Sequence, residues 1–216
     1  MIAISPQWFN VISTVYNALS FIVAGAISLL GYKAYKLIKE KKYLNFSIAF
    51  FFIMLSFVVM ALTNLIVYLN LGSNVSRILG IINWGYVIYA LLTVVGFVLL
   101  VILSFKIKDA KVIVIISIVL AAALLLFDFI MMFHLILLLL ALLLSYHFYR
   151  NCVEKKTANS KLVFAAFTSM MISHIFHMAS ASNYISAGTG EVIYVIGSTI
   201  LVAGYILLLA ALLRFK

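Results

Sequence analysis

The chain has 216 residues, of which 67% are hydrophobic and only 9% charged. A water-soluble domain carries about a quarter charged residues, so that class is excluded, and long apolar segments replace it. The net charge of +10 does not point to nucleic acid, because lysine and arginine lie in short clusters between apolar runs, the pattern of cytoplasmic loops against anionic headgroups.

The N-terminus lacks a basic region and a small-residue cleavage site, so the first apolar segment is expected to act as an uncleaved membrane signal. Apolar runs and their boundary residues then predict seven crossings, an all-α polytopic membrane protein. They run from about Asn10 to Leu30, Leu44 to Leu69, Leu79 to Phe105, Val112 to Phe127, Leu135 to Phe148, Leu162 to Tyr184 and Val192 to Leu213. No obvious loop separates Val112 from Tyr149. A single helix of that length would be nearly twice the bilayer thickness at about 1.5 Å per residue, so a tight hairpin is expected near "FDFIMMFH", 127–134. The connecting loops are short, which leaves no soluble catalytic or ligand-binding domain and places function in the bundle or a partner. Cys152 is the single cysteine, which excludes an intramolecular disulfide and a CxxC metal pattern.

Charge tests the crossings. With seven, one side receives Lys33, Lys36, Lys39, Lys41, Lys42, Lys106, Lys108, Lys111, Arg150, Lys155, Lys156, Lys161, Arg214 and Lys216, and the other only Arg77. That asymmetry predicts a cell-membrane protein with its N-terminus outside and its C-terminus in the cytoplasm. Tyr32, Tyr35, Tyr43, Tyr146 and Tyr149 mark the inner boundary, and Trp8, Tyr68, Trp84 and Tyr184 the outer one.

Two stretches resemble each other. "YKAYKLIKEKK" (32–42) aligns with "YHFYRNCVEKK" (146–156), and Ala49, Phe50 and Ser56 align with Ala166, Phe167 and Ser173. Tyr86, Gly96 and Lys106 echo Tyr194, Gly204 and Arg214 at one constant offset. The expectation is a parallel three-helix repeat, A over about 10–108 and B over about 132–216, around a linker helix at about 112–128. Tyrosine–lysine helix ends are also common membrane anchors, and the likeness fits that reading too.

A three-plus-one-plus-three bundle with its N-terminus outside resembles the SWEET sugar facilitators and, more loosely, the microbial rhodopsins. The SWEET pattern implies a proline in the membrane helices of each half, whereas the single proline here is Pro6. The rhodopsin pattern implies a lysine midway along the last helix, and none lies between Lys161 and Lys216, so retinal is excluded. "YKAYK" and "YLNFSIAF" (43–50) also resemble small uncharacterised archaeal membrane domains, some sensor-like, a likeness that implies no catalytic residue.

Polar residues form stripes at helical spacing: Asn10, Ser13, Asn17, Ser20 and Ser28 on the first helix, and Ser169, Ser173, His177, Ser180 and Tyr184 on the sixth. Both fit close helix packing through small residues and hydroxyl hydrogen bonds. Their depth also predicts an outward-facing polar pocket formed by Asn17, Asn64, Asn83, Tyr86, Ser173, His174, His177, Asn183, Tyr194 and Ser198. His174 and His177 lie one helical turn apart, and neutral imidazole is a good ligand for haem iron, copper or zinc. Met60, Met131, Met132, Met178 and His134 lie at comparable depth, so copper or haem is the candidate cofactor, with His174, His177 and Met60 as the metal set. Interhelical hydrogen bonding by the histidines is the alternative. Asp128 and Glu191 read as solvated turn carboxylates.

Enzyme chemistry is not expected: there is no nucleophile–base pair, and the HxxxH and ExxH patterns of intramembrane metal enzymes are missing. The sequence therefore predicts a sensor-like or ligand-binding membrane module, with a small SWEET-like facilitative transporter or a haem or copper protein as alternatives. The expected partners are the lipid bilayer, another subunit against the aliphatic fourth and fifth helices, and a cytoplasmic signalling protein.

Overall fold

A computed structural model of the chain describes residues 7–69, 75–107, 109, 120, 129–182 and 186–214. These residues form helices: α1 Gln7–Ile38, α2 Lys41–Leu69, α3 Val75–Phe105, α4 Phe129–Lys155, α5 Ala158–Ala181 and α6 Ala187–Leu213. All six are long and apolar enough to cross a bilayer, so the chain is a multi-pass membrane protein. Helices are the form such sequences must take, because a backbone in hydrocarbon has to satisfy its own polar groups. Helices α1, α2 and α4 run past their apolar cores into lysines and tyrosines at the basic end, which carry their polar tips to the headgroups. Lys36 lies over the Tyr32 ring at 5.0 Å, and Lys42 over Tyr43 at 4.9 Å.

The expected count of seven is corrected to six among the described residues. The predicted fourth crossing, from Val112 to Phe127, lies outside the described residues apart from Leu120. The expected turn at 127–134 is also corrected: from Phe129 onward this stretch is the start of α4. A polar residue at the edge of an apolar run suggests a turn, but His134 is buried within the helix.

The helices close a ring, each packing against its two neighbours in chain order, with α6 completing it against α1. Successive helices within 7–105 and within 129–213 run antiparallel. The two joints between these halves are parallel. Tyr89, midway along α3, meets Phe133, near the start of α4, at 5.3 Å, and Phe105 meets His147 at 5.3 Å toward the ends of the two helices. On the other joint Phe9 meets Tyr194 at 5.2 Å, and the Tyr16 hydroxyl lies 2.7 Å from Thr199 Oγ1. One end of the ring thus collects the basic residues, with the end of α1, the start of α2, the ends of α3 and α4, the start of α5 and the end of α6. Far from being peripheral, the aliphatic helix α4 buries Phe133, His134, Leu137, Leu140, Ala141 and Leu144.

Three helices stop at the basic end in a lysine of left-handed backbone, Lys39, Lys106 and Lys156, at φ 60°, 54° and 53°. Glycine is the ordinary residue there, and a side chain costs about 1–2 kcal/mol. The backbone bonds of such stops are made, Lys39 N–H to Tyr35 O at 2.8 Å and Ile107 N–H to Ile102 O at 3.0 Å. Lysine adds a cation at the negative end of the helix dipole and at the headgroup surface.

Close approach of the helices rests on small residues, since hydrocarbon outside the ring removes any hydrophobic drive toward association. Ser28 and Ser47 exchange hydroxyl-to-carbonyl bonds between α1 and α2, at 2.9 and 2.8 Å. A Cβ on Gly96 would lie 2.8 Å from Ala49 O, and one on Gly204 would lie 3.0 Å from Ala166 O. The sequence alignment equates these two pairs. Gly96→Ala and Gly204→Ala should each destabilise the detergent-solubilised protein by roughly 1–3 kcal/mol in thermal melts. Gly188→Ala, where the added carbon meets nothing within 4 Å, should not.

Candidate metal centre

Helix α5 begins after Thr157, whose hydroxyl accepts the Ser160 N–H at 3.2 Å, and runs without a break through Ser173, His174 and His177. The i, i+3 spacing puts both imidazoles on one face, turned into the ring. Helix α4 packs antiparallel to it, with Ser145 Oγ and Thr168 Oγ1 2.8 Å apart toward the basic end. That register brings His134, in the second turn of α4, level with the two α5 histidines. Ring centroids are 5.7 Å apart for His134 and His174, 5.0 Å for His134 and His177, and 5.9 Å for His174 and His177. Each ring offers a nitrogen such that all three lie within 4.8 Å of one another.

All three side chains are buried, at 7%, 3% and 4% exposure. His134 Nδ1, both nitrogens of His174, His177 Nδ1 and Ser173 Oγ have no hydrogen-bond partner. Each such orphaned group costs about 1–3 kcal/mol. His177 Nε2 reaches Ser198 Oγ at 3.3 Å, and Tyr194 stacks on its ring at 4.8 Å. Phe133 packs beside His134 at 4.8 Å and Phe97 edge-on to His174 at 6.2 Å. Gly197 permits the arrangement, because a Cβ there would lie 2.8 Å from His177 Cδ2. The cluster is a set of three neutral nitrogen donors, with no carboxylate among the described residues joining them. A metal at about 2.0–2.1 Å from each nitrogen needs donors roughly 3.4 Å apart, so modest ring rotations would close the set around one ion. Three protein donors leave a fourth position open.

Of the expected metal set, His174 and His177 stand together, and the third imidazole is His134 rather than the Met60 thioether. Met60 is buried on α2. Among the expected pocket residues, Ser173 and Ser198 border the cluster, and Tyr194 covers it. Asn17 and Asn64 instead converge on Ser13: Asn17 donates to Ser13 O at 2.9 Å, and Asn64 donates to Ser13 Oγ at 3.1 Å. Asn83 is exposed on α3, Tyr86 is half-buried, and Asn183 lies outside the described residues. The polar half away from the basic end thus divides into a serine–asparagine seam between α1 and α2 and a histidine cluster between α4 and α5.

After chelator treatment, His174→Leu should raise thermal stability by about 1–3 kcal/mol, since it removes two unpartnered nitrogens from the interior. A loss of stability would mean that the imidazole has a partner in the metal-free protein. Comparison with known protein families, with curated proteins and with solved structures finds no match for this chain.

Proposed function

We propose that this multi-pass membrane protein is a copper-binding module, and that His134, His174 and His177 hold the ion. The observation that carries the reading is the convergence of three buried imidazoles, each with at least one ring nitrogen that lacks a partner. Imidazole suits copper, zinc, iron and nickel, and copper heads the affinity order of divalent first-row ions. Charge favours copper further. Three neutral donors leave a divalent ion's double charge uncompensated in a low-dielectric interior, whereas Cu(I) carries half of it. Haem fits less well, because the three rings face one another under Phe97, Phe133 and Tyr194 and not the flat face of a macrocycle.

This reading gives the sensor-like module expected from the sequence a specific ligand. A SWEET-like substrate path gains no support from the polar outer residues, since Asn17 and Asn64 bond to Ser13 rather than line a passage. The parallel repeat is supported by the matching Gly96–Ala49 and Gly204–Ala166 contacts. In our reading the basic end of the ring faces the cytoplasm.

Two experiments test these points. Protein purified after growth in copper should hold about one copper per chain by elemental analysis. His134→Ala and His177→Ala should each lose it, and His147→Ala, at the far end of α4, should keep it. Stoichiometric zinc would redirect the assignment, and the absence of any bound metal after loading with Cu(I) would refute it. For orientation, Cys152 is a native single-site reporter at the basic end. An impermeant maleimide should leave it unlabelled in intact cells and label it in inside-out vesicles, and labelling in intact cells would reverse the orientation.

A further inference from the structure

At the opposite end of the bundle from the histidines, five of the six helices surround a cavity of about 590 Å³. Its walls are apolar, with Phe46 of α2, Ile102 of α3, Phe148 of α4, Phe167 of α5, and Leu208 and Leu212 of α6. A second cavity of about 400 Å³ adjoins it and shares Phe46, Leu103, Lys106, Phe148 and Phe167. Its remaining wall is Leu100 together with four polar residues, Ser104, His147, Asn151 and Lys155. Lys106 therefore stands on the boundary between an oily chamber and a polar one. Among the described residues that line the two chambers, none is acidic. Lys42, also at the rim of the larger chamber, is already paired with Glu40 at 2.5 Å.

We infer that this pair of chambers binds a long-chain carboxylate, with its single alkyl chain among Phe46, Phe148, Phe167 and Leu208 and its head at Lys106, Asn151 and Lys155. Three features select this class of ligand. The larger chamber lies within the size range of small-molecule sites and is lined as such sites are, by aromatic and aliphatic groups with few polar ones. Its volume suits one chain rather than the two of a bilayer phospholipid, and the ring of helices encloses it on several sides. The polar chamber offers two ammonium groups, an amide and a hydroxyl, all able to donate hydrogen bonds, which match an anionic head and leave a neutral alcohol without charge assistance. The left-handed backbone at Lys106, at φ 54°, holds that lysine at the junction after α3 ends. This site is independent of the metal reading.

The test uses the full chain in nanodiscs of zwitterionic phosphatidylcholine, with radiolabelled palmitate as probe. Saturable binding of about one palmitate per chain is expected, displaced by unlabelled palmitate and at least tenfold less well by hexadecanol, which has the same chain and no charge. Lys106→Gln combined with Lys155→Gln should weaken palmitate binding roughly tenfold or more while leaving copper content unchanged. Leu212→Trp, which fills the apolar chamber without touching the polar one, should also abolish saturable uptake. Non-saturable partitioning in the wild type, equal displacement by hexadecanol, or wild-type affinity in both variants would overturn the assignment. Preferential displacement by lysophosphatidic acid over palmitate would also overturn it, since it would make the head a phosphate.

Discussion

An imidazole nitrogen held away from water has to find a partner, and inside a transmembrane helix the backbone offers few, because each amide is already bonded within its own helix and only a second lone pair on each carbonyl is left. In this protein that constraint falls on three side chains at once. His134, His174 and His177 are turned toward one another, so each keeps at least one nitrogen without a conventional partner, and the same convergence makes them a coordination set. Several local features follow from holding them there. Gly197 leaves room for the His177 ring, Ser198 occupies one of its nitrogens, and Tyr194 covers its face. A hydrogen bond to the second nitrogen of a ligating histidine is the usual way to fix ring orientation around a metal.

In the repeat we propose, the two halves of the ring fill equivalent space with different chemistry. The alignment that pairs Ala49 with Ala166 places Phe57 and Met60 of α2 where α5 has His174 and His177. The offset that pairs Gly96 with Gly204 places Tyr89 where α6 has Gly197. In the first half, Phe57 and Tyr89 rings pack at 6.2 Å. In the second, the ring at the Tyr89 position is gone, and the imidazole at the Met60 position moves into the freed volume beside Gly197. In that proposed repeat one backbone arrangement would support an aromatic core on one side and a polar centre on the other, a single site and not a symmetric pair. The division also runs along the bundle axis, from a donor-rich half away from the basic end to an apolar chamber bordered by lysines.

The class of molecule was legible in composition, because 67% hydrophobic residues broken by basic clusters admit little else. The cores of the six described helices were legible from apolar runs, but their ends were not. Lysine and tyrosine extend a membrane helix past the hydrocarbon, as α1 does to Ile38 and α4 to Lys155, and hydropathy stops short of them. His174 and His177 were legible as a pair because they share a helix face. His134 stood in view as a neighbour of uncertain role, since a polar residue at the edge of an apolar run looks like a turn. Only the antiparallel register of α4 on α5 makes it the third donor. Depth alone does not decide which cavity a residue faces: Asn17 and Asn64 turn to Ser13, and the histidines to one another. The chamber at the basic end left no sequence signal, because its walls are ordinary apolar helix positions contributed by five different helices.

X-ray absorption at the copper edge of the loaded, purified protein tests the account most directly. The predicted spectrum has three imidazole nitrogen neighbours at about 2.0 Å and no sulfur, falling to two in His134→Ala. A sulfur neighbour would move the site to the methionines, and a spectrum unchanged by removing His134 would contradict the three-histidine centre.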